Sequence, residues 1–201
     1  MTPPTSPGDP PAGPTPLLAV AWKVLASLAV LLILMVGVGV ALPGTWTAEG
    51  ETTLAAGPES VFPWLNAPSL WQRWNPWPDV QVTSSGPEAG VGATMAWDDP
   101  YAGSGHFRIV ESHPPARLVY QVEVQGGSIR TRGVFNLTEL PEGGTRIHWR
   151  EDGDFGWNPL MGYAALTMYR GQSVELERGL ERLRSAIDSL APHAAAIPPG
   201  S

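Results

Sequence analysis

The chain contains no cysteine. That excludes a disulfide framework, a thiol nucleophile and a thiolate metal site, and it is compatible with either side of a membrane. Basic charge is scarce as well: 12 lysines and arginines stand against 19 acidic residues, for a formal net charge of −7. Beyond Lys23 every basic residue is an arginine, and the arginines are spread along the chain without a cluster. Nucleic-acid binding needs a concentrated basic surface to displace counterions from phosphates, and recruitment to anionic lipid by charge alone needs a polybasic run. The sequence supplies neither. His106, His113, His148 and His193 are scattered, with no pair at metal-ligand spacing and no His-Glu-x-x-His, so neither a metal nor a cofactor is expected. Gly103-Ser-Gly105 is not a nucleophile elbow, and Gly90-Val-Gly92 lacks the third glycine of a dinucleotide loop. Both read as turns.

Charge is absent altogether from Val24 to Leu42. Leu17 to Leu42 therefore meets the roughly 20 apolar residues that a helix needs to cross about 30 Å of hydrocarbon, with every backbone polar group satisfied inside the segment. The run predicts a single-pass transmembrane helix over 17–42. A cleaved signal peptide is the competing reading, because Gly39, Val40 and Ala41 offer small residues for a peptidase. The run exceeds a signal core of about 7 to 15 residues, and a proline-rich leader precedes it rather than a short basic one, so an uncleaved anchor is expected. Lys23 flanks one end, while Glu49 and Glu51 open the other. The positive-inside bias then places the carboxy-terminal domain on the extracytoplasmic side.

Residues 1–16 are mostly Pro, Thr, Gly and Ser and predict a disordered tail, as do residues 192–201. Residues 45–191 have the length of one domain with a sizeable core. In it Trp46 to Leu54 reads as an edge strand, and Pro58 opens a short helix over Glu59 to Leu65. A further turn follows Pro68. Six short runs separated by Gly and Pro then alternate with period two: Val80–Ser85, Ala93–Asp98, Gly105–Ser112, Arg117–Val124, Ser128–Leu140 and Thr145–Asp152. Apolar side chains on one side and Arg, His and Glu on the other predict a curved antiparallel sheet, covered on one face and wet on the other. After Asn158 as cap and Pro159 in the first turn, no proline occurs before Pro192, which allows a helix of about 30 residues, some 45 Å long. Leu176, Leu180, Leu183, Ile187 and Leu190 make one stripe for packing on the sheet. From Leu160 to Tyr169 apolar residues lie nearly all round, which calls for a second cover.

The segments Ala56-Gly-Pro-Glu-Ser-Val-Phe62, Pro68-Ser-Leu-Trp-Gln-Arg-Trp-Asn-Pro-Trp77, Ser85-Gly-Pro-Glu-Ala-Gly-Val-Gly92, Leu118-Val-Tyr120, Gly144-Thr-Arg-Ile-His-Trp149 and Glu177-Arg-Gly-Leu-Glu-Arg-Leu183, together with Trp97, carry a family resemblance. In their order and spacing the chain resembles the START-like (SRPBCC, Bet v 1-like) superfamily, and especially its polyketide cyclase/dehydrase and lipid transport branch. The resemblance implies an α+β helix-grip fold, in which a seven-stranded antiparallel sheet curls round a long carboxy-terminal helix. It also implies an apolar cavity between the two, taking a hydrophobic small molecule or lipid.

The inward set Met95, Trp97, Phe107, Ile109, Leu118, Tyr120, Phe135, Leu137 and Trp149 would line a pocket or fill a core; composition does not separate these, and the resemblance favours a pocket. Met161, Met168 and Tyr169 would form its helical wall, methionine being adaptable to varied apolar shapes. Trp71, Trp74 and Trp77 are expected either to gate the cavity or to plug one end of the sheet, the plug being the more common use of buried aromatics. For catalysis, strand parity nominates only Tyr120 and Glu151. A carboxyl in an apolar cavity would have a raised pKa suited to proton transfer, but Glu151 is expected at a strand end in water. With Asp152 and Asp154 it reads as a solvated acidic loop. The leading expectation is a membrane-anchored binding domain without covalent chemistry. A cyclase/dehydrase-type enzyme and a non-enzymatic interaction module with a filled core are the alternatives.

Overall fold

A computed structural model describes residues 16–75, 80–101, 103–156 and 158–194. Along the chain the elements are α1 (Pro16–Ala41), β1 (Thr45–Leu54), α2 (Pro58–Asn66), α3 (Pro68–Trp71), β2 (Val82–Ser85), β3 (Thr94–Asp99), β4 (Gly103–His113), β5 (Arg117–Val124), β6 (Ile129–Glu139), β7 (Thr145–Asp154) and α4 (Met161–Ala194). The seven strands form one antiparallel sheet in the order β1-β7-β6-β5-β4-β3-β2. The two pieces of the sequence that flank α2 and α3 thus become its two edges.

Several local expectations change. Glu151, Asp152 and Asp154 do not make a loop; they belong to β7, which runs on to Asp154 because β1 and β6 both pair with it to that point. Gly103-Ser-Gly105 is the start of β4, entered through Gly103 at φ +73. At the carboxy terminus α4 includes Pro192 and ends at Ala194, three residues beyond the expected boundary; helix ends fray, so their last residue is the least fixed part of the element. Asn158 does not cap α4, which starts at Met161; its Oδ1 accepts the Leu160 N–H at 3.0 Å in a turn just ahead of the helix. The tails at 1–15 and 195–201 lie outside the described residues.

The inner face follows the period-two pattern. Leu118 and Tyr120 of β5, Phe135 and Leu137 of β6, and Ile147 and Trp149 of β7 are all buried. Across the outer face run exposed ion pairs such as Arg150 to Glu49 at 2.8 Å and Arg132 to Glu111 at 3.0 Å, a class of contact that adds little stability. Leu176, Leu180, Leu183 and Ile187 bury the second half of α4. Gly50 lets that helix come close to β1, since a Cβ there would stand 3.2 Å from Leu176 Cβ.

Three aromatic rings on the inner face lie flat over a glycine on the neighbouring strand. Trp46 pairs with Gly153, Trp97 with Gly105 and Tyr120 with Gly133, and a Cβ on any of these glycines would fall 2.0 to 2.4 Å from the ring. The glycines supply the room that lets large rings lie along the sheet instead of standing up into the grip.

Helix α1 is exposed along nearly its whole length, and its stretch Ala19–Ala41 is long and apolar enough to cross a membrane. Its last turns meet the start of α4. Tyr163 donates its hydroxyl to the Met35 carbonyl at 2.7 Å, and Gly39 and Gly162 pack so closely that a Cβ on Gly39 would stand 2.2 Å from the Pro159 oxygen.

Candidate ligand pocket and its buried carboxylate

The grip has two dissimilar ends. At one end α2 and α3 drop Trp71 and Trp74 into the sheet's concavity, where both are almost wholly buried. The Trp71 ring centroid lies 4.6 Å from that of Phe107, 4.9 Å from Tyr120 and 5.0 Å from Trp74. Phe135 stacks on Trp149 at 4.7 Å. The indole N–H groups are spent locally, Trp71 Nε1 on the Leu65 carbonyl at 2.8 Å and Trp74 Nε1 on the Trp64 carbonyl at 3.3 Å. With donors and faces both engaged, these tryptophans pack as a plug at this end of the grip.

At the other end a pocket of about 320 Å³ remains open. Its walls are Trp46, Val80, Trp97, Val122, Val124, Ile129, Thr131 and Phe155 from the strands and their ends, Met168 and Gln172 from α4, and Glu151. The volume sits near the lower limit of small-molecule sites, about 300–1,000 Å³. At about 30 Å³ per water-sized group it has room for about ten such groups. The helical wall exists because α4 here presents Met168 and Gln172 in place of the leucine stripe that closes its second half.

A chain of hydrogen bonds joins plug and pocket. Trp149 Nε1 donates to Tyr120 Oη at 2.9 Å, Tyr120 donates to Glu151 Oε1, and Gln172 Nε2 donates to Glu151 Oε2 at 2.8 Å. Glu151 is 7% exposed. Burial pushes its carboxyl above the usual range, against the two hydrogen bonds that pull it down. Burial, then the neighbouring Glu151 charge, raises the Tyr120 phenol well above its ordinary value. Both groups thus favour their neutral forms.

A raised carboxyl means that the folded chain holds a proton over a pH window in which the unfolded chain has released it. Stability from this group is complete below the usual carboxylate range and is lost as pH rises through the folded value. Glu151→Gln keeps an acceptor for Tyr120 and removes the buried charge. We expect its Tm to match the parent near pH 4 and to exceed it by roughly 2–4 °C at pH 8, the equivalent of about 1 kcal/mol at this size. Glu151→Ala leaves the buried Tyr120 hydroxyl unmet, at about 1–3 kcal/mol, and is expected to melt lower at both pH values. A Glu151→Gln difference that does not change with pH would show that Glu151 titrates normally.

Of the residues nominated from sequence, Trp97, Met168 and Glu151 line the pocket. Met95, Phe107, Tyr120, Phe135 and Trp149 are inward as expected, yet they are packed against the Trp71 and Trp74 plug as solid core. Met161 borders an outer hollow beside the β5–β6 turn. Trp77 lies outside the described residues, as does the side chain of Tyr169. The expectation of a solvated Glu151 is overturned, because β1 pairs alongside β7 and Gln172 of α4 closes over the carboxyl. Sequence reasoning did not single out Trp46, Phe155 or Gln172. Trp46 carried a signal in being the first large apolar residue of β1, but only the pairing with Gly153 and the contact with Phe155, 6.4 Å between centroids, bring it to the pocket. Its Nε1 is buried without a hydrogen-bond partner among the described residues.

A seven-stranded antiparallel sheet closed by a long terminal helix, plugged at one end and hollow at the other, defines a helix-grip domain of the SRPBCC, or Bet v 1-like, class. The profile of the polyketide cyclase/dehydrase and lipid transport family matches residues 45–188, and the chain belongs to that family. Solved structures agree on the fold. A protein of unknown function from Staphylococcus aureus superposes with TM-score 0.56 at 11% identity, covering 74% of this chain and 96% of its own. A protein from Rhodobacter sphaeroides gives 0.52 at 22% identity, covering 72% and 93%, and an uncharacterised protein from Rhizobium leguminosarum gives 0.52 at 19%, covering 72% and 95%. No protein of curated function matches the sequence.

Proposed function

We propose that this is a membrane-anchored binding protein for a compact hydrophobic molecule carrying one polar group, held in the pocket without covalent change. The observation that carries the reading is the pocket itself: apolar walls with a few polar groups converging on one side. Gln172 and Glu151 offer a polar patch, and Trp46 Nε1 is an unmet donor in the wall. A buried N–H without a partner costs about 1–3 kcal/mol, and a ligand oxygen would remove that cost once the Trp46 ring turns its enclosed Nε1 toward the cavity. Anchoring is supported by α1, most of whose apolar side chains are exposed among the described residues. The fitted contact of Gly39, Gly162 and Tyr163 favours a helix that stays with the domain over a leader that is removed. Lys23 on the amino-terminal side supports a domain outside the cytoplasm.

A proton-transfer enzyme is the second reading, favoured by the raised Glu151 carboxyl in the pocket wall. It ranks lower because Glu151 is the one titratable group among the described lining residues, and both of its oxygens already accept hydrogen bonds. Turnover lost in Glu151→Gln with binding retained would promote it.

The test is organic extraction and mass spectrometry of the full-length protein in phosphatidylcholine nanodiscs, beside Val122→Trp, which places an indole in the pocket. The expected result is a compound retained by the parent in defined proportion and lost from the variant. Identical extracts from both would remove the ligand and leave the filled-core interaction module.

A further inference from the structure

We propose that the first turns of α4 are laid into the outer zone of the bilayer beside α1, so that Leu160 and Leu166 contact lipid and the pocket opens at the membrane surface. The inference rests on the reading of α1 as a retained span.

Depth comes first. Met35 precedes the end of the span, Ala41, by six residues, about 9 Å at 1.5 Å per residue. The hydroxyl of Tyr163 bonds to the carbonyl of Met35, so that side chain reaches about 9 Å below the point where the apolar run ends. The run Ala19–Ala41 has 23 residues, about 34 Å, only a few ångströms more than the hydrocarbon thickness of about 30 Å. Tyr163 therefore enters the boundary of the hydrocarbon, where an unpaired hydroxyl would be costly and where tyrosine is enriched. The approach is possible because Gly39 and Gly162 carry no side chain at the crossing, where a Cβ on Gly162 would stand 2.7 Å from Leu42 Cβ.

Which residues face the lipid follows from helix geometry. At 100° per residue Leu166 lies about 60° from Tyr163 around α4, and Leu160 stands one residue before the helix begins. These leucines are 54% and 62% exposed, large values for apolar side chains next to a span. They belong to the segment whose apolar residues surround the helix, and no described residue covers them. Arg170 is exposed on the same face two turns beyond Tyr163, at a distance where a long cationic side chain reaches lipid phosphates.

The pocket lies at this same end. Only Leu42, Pro43 and Gly44 separate α1 from β1, at most about 11 Å of chain, and the Phe155 N–H bonds to the Gly44 carbonyl at 3.0 Å. Trp46 near the start of β1, Val124 at the end of β5, Ile129 at the start of β6 and Phe155 just after β7 are pocket walls at the strand ends next to that linker. The β3–β4 turn shares this edge and presents Tyr101, 99% exposed.

Because the chain has no cysteine, single cysteines can be placed and labelled with a fluorophore in the full-length protein. The sites are Leu160→Cys and Leu166→Cys, with Leu32→Cys inside α1 and Glu142→Cys in the β6–β7 turn at the far end as references. In phosphatidylcholine vesicles containing nitroxide-labelled acyl chains, labels at 160, 166 and 32 are expected to be quenched at least twofold more than the label at 142. Quenching at 32 with 160 and 166 equal to 142 would overturn the inference and leave the anchor standing. No quenching at 32 would overturn both. Labels at 160 and 166 that are shielded from aqueous iodide yet insensitive to nitroxide lipid would show a protein surface there, such as a second copy, and would also overturn it. Adding Gly39→Leu, which keeps the span apolar and blocks the crossing, is expected to reduce quenching at 166 to the level at 142. Unchanged quenching would refute the α1–α4 contact as its cause.

Discussion

Trp71→Ala is expected to lower the stability of the domain by about 3–5 kcal/mol, the range for removing a fully buried large aromatic. At roughly 2–4 °C per kcal/mol for a chain of this size, Tm falls by about ten degrees, measurable by thermal melts of the full-length protein. The indole touches Trp74, Phe107, Tyr120 and Phe135 at once. The space it vacates is enclosed by other rings, and its neighbours relax only in part. The same variant separates plug from gate. Trp71 does not line the pocket, so compound retention at a temperature where the variant is folded is expected to equal that of the parent. Loss of retention in a folded variant would return Trp71 to the binding site.

The second large effect contrasts two glycines that receive nearly the same ring. A Cβ on Gly133 would stand 2.0 Å from Tyr120 Cζ, and one on Gly153 would stand 2.0 Å from Trp46 Cε2. Tyr120 cannot move aside, being packed by Phe107 at 5.1 Å and Trp71 at 4.9 Å and bonded to Trp149 and Glu151. Gly133→Ala is therefore expected to cost about 3 kcal/mol, the upper end of the usual overpacking range, or more. That outweighs the few tenths to about 1 kcal/mol that alanine recovers by restricting the unfolded chain. Trp46 stands beside a cavity and its Nε1 has no described partner. In Gly153→Ala the indole has room to swing inward, so the melt is expected to fall by about 1 kcal/mol while compound retention is lost. Equal destabilisation of both variants would mean that the pocket does not yield to Trp46.

Much of this architecture was legible in the residues. The period-two runs located every strand with ends within two residues of those observed, because Gly and Pro interrupt the chain at each turn and the outward positions carry Arg, His and Glu. The identity of the long helix followed from a proline-free stretch with a leucine stripe, and that of α1 from the absence of charge. The family resemblance rested on the same segments. The candidate site was far less legible. Parity alone puts Glu151 on the inward side of β7, but whether an inward carboxyl is wet or dry depends on what crosses it, here Gln172 from a helix 21 residues further on. The aromatic–glycine pairs were equally hidden, since Gly105, Gly133 and Gly153 acquire their meaning only once register sets them against Trp97, Tyr120 and Trp46.

Alternation, charge and chain punctuation act over a few residues, so the sheet, the closing helix, the apolar amino-terminal helix and the inward-facing set can all be read along the chain. The division of that inward set into solid core and open pocket cannot. It depends on a short helical segment far from most of the strands, which carries Trp71 and Trp74 into one end of the grip and leaves the other end unfilled. Packing density is a property of what meets in space, and residues with the same apolar composition become a plug or a wall according to whether a partner from elsewhere in the chain reaches them.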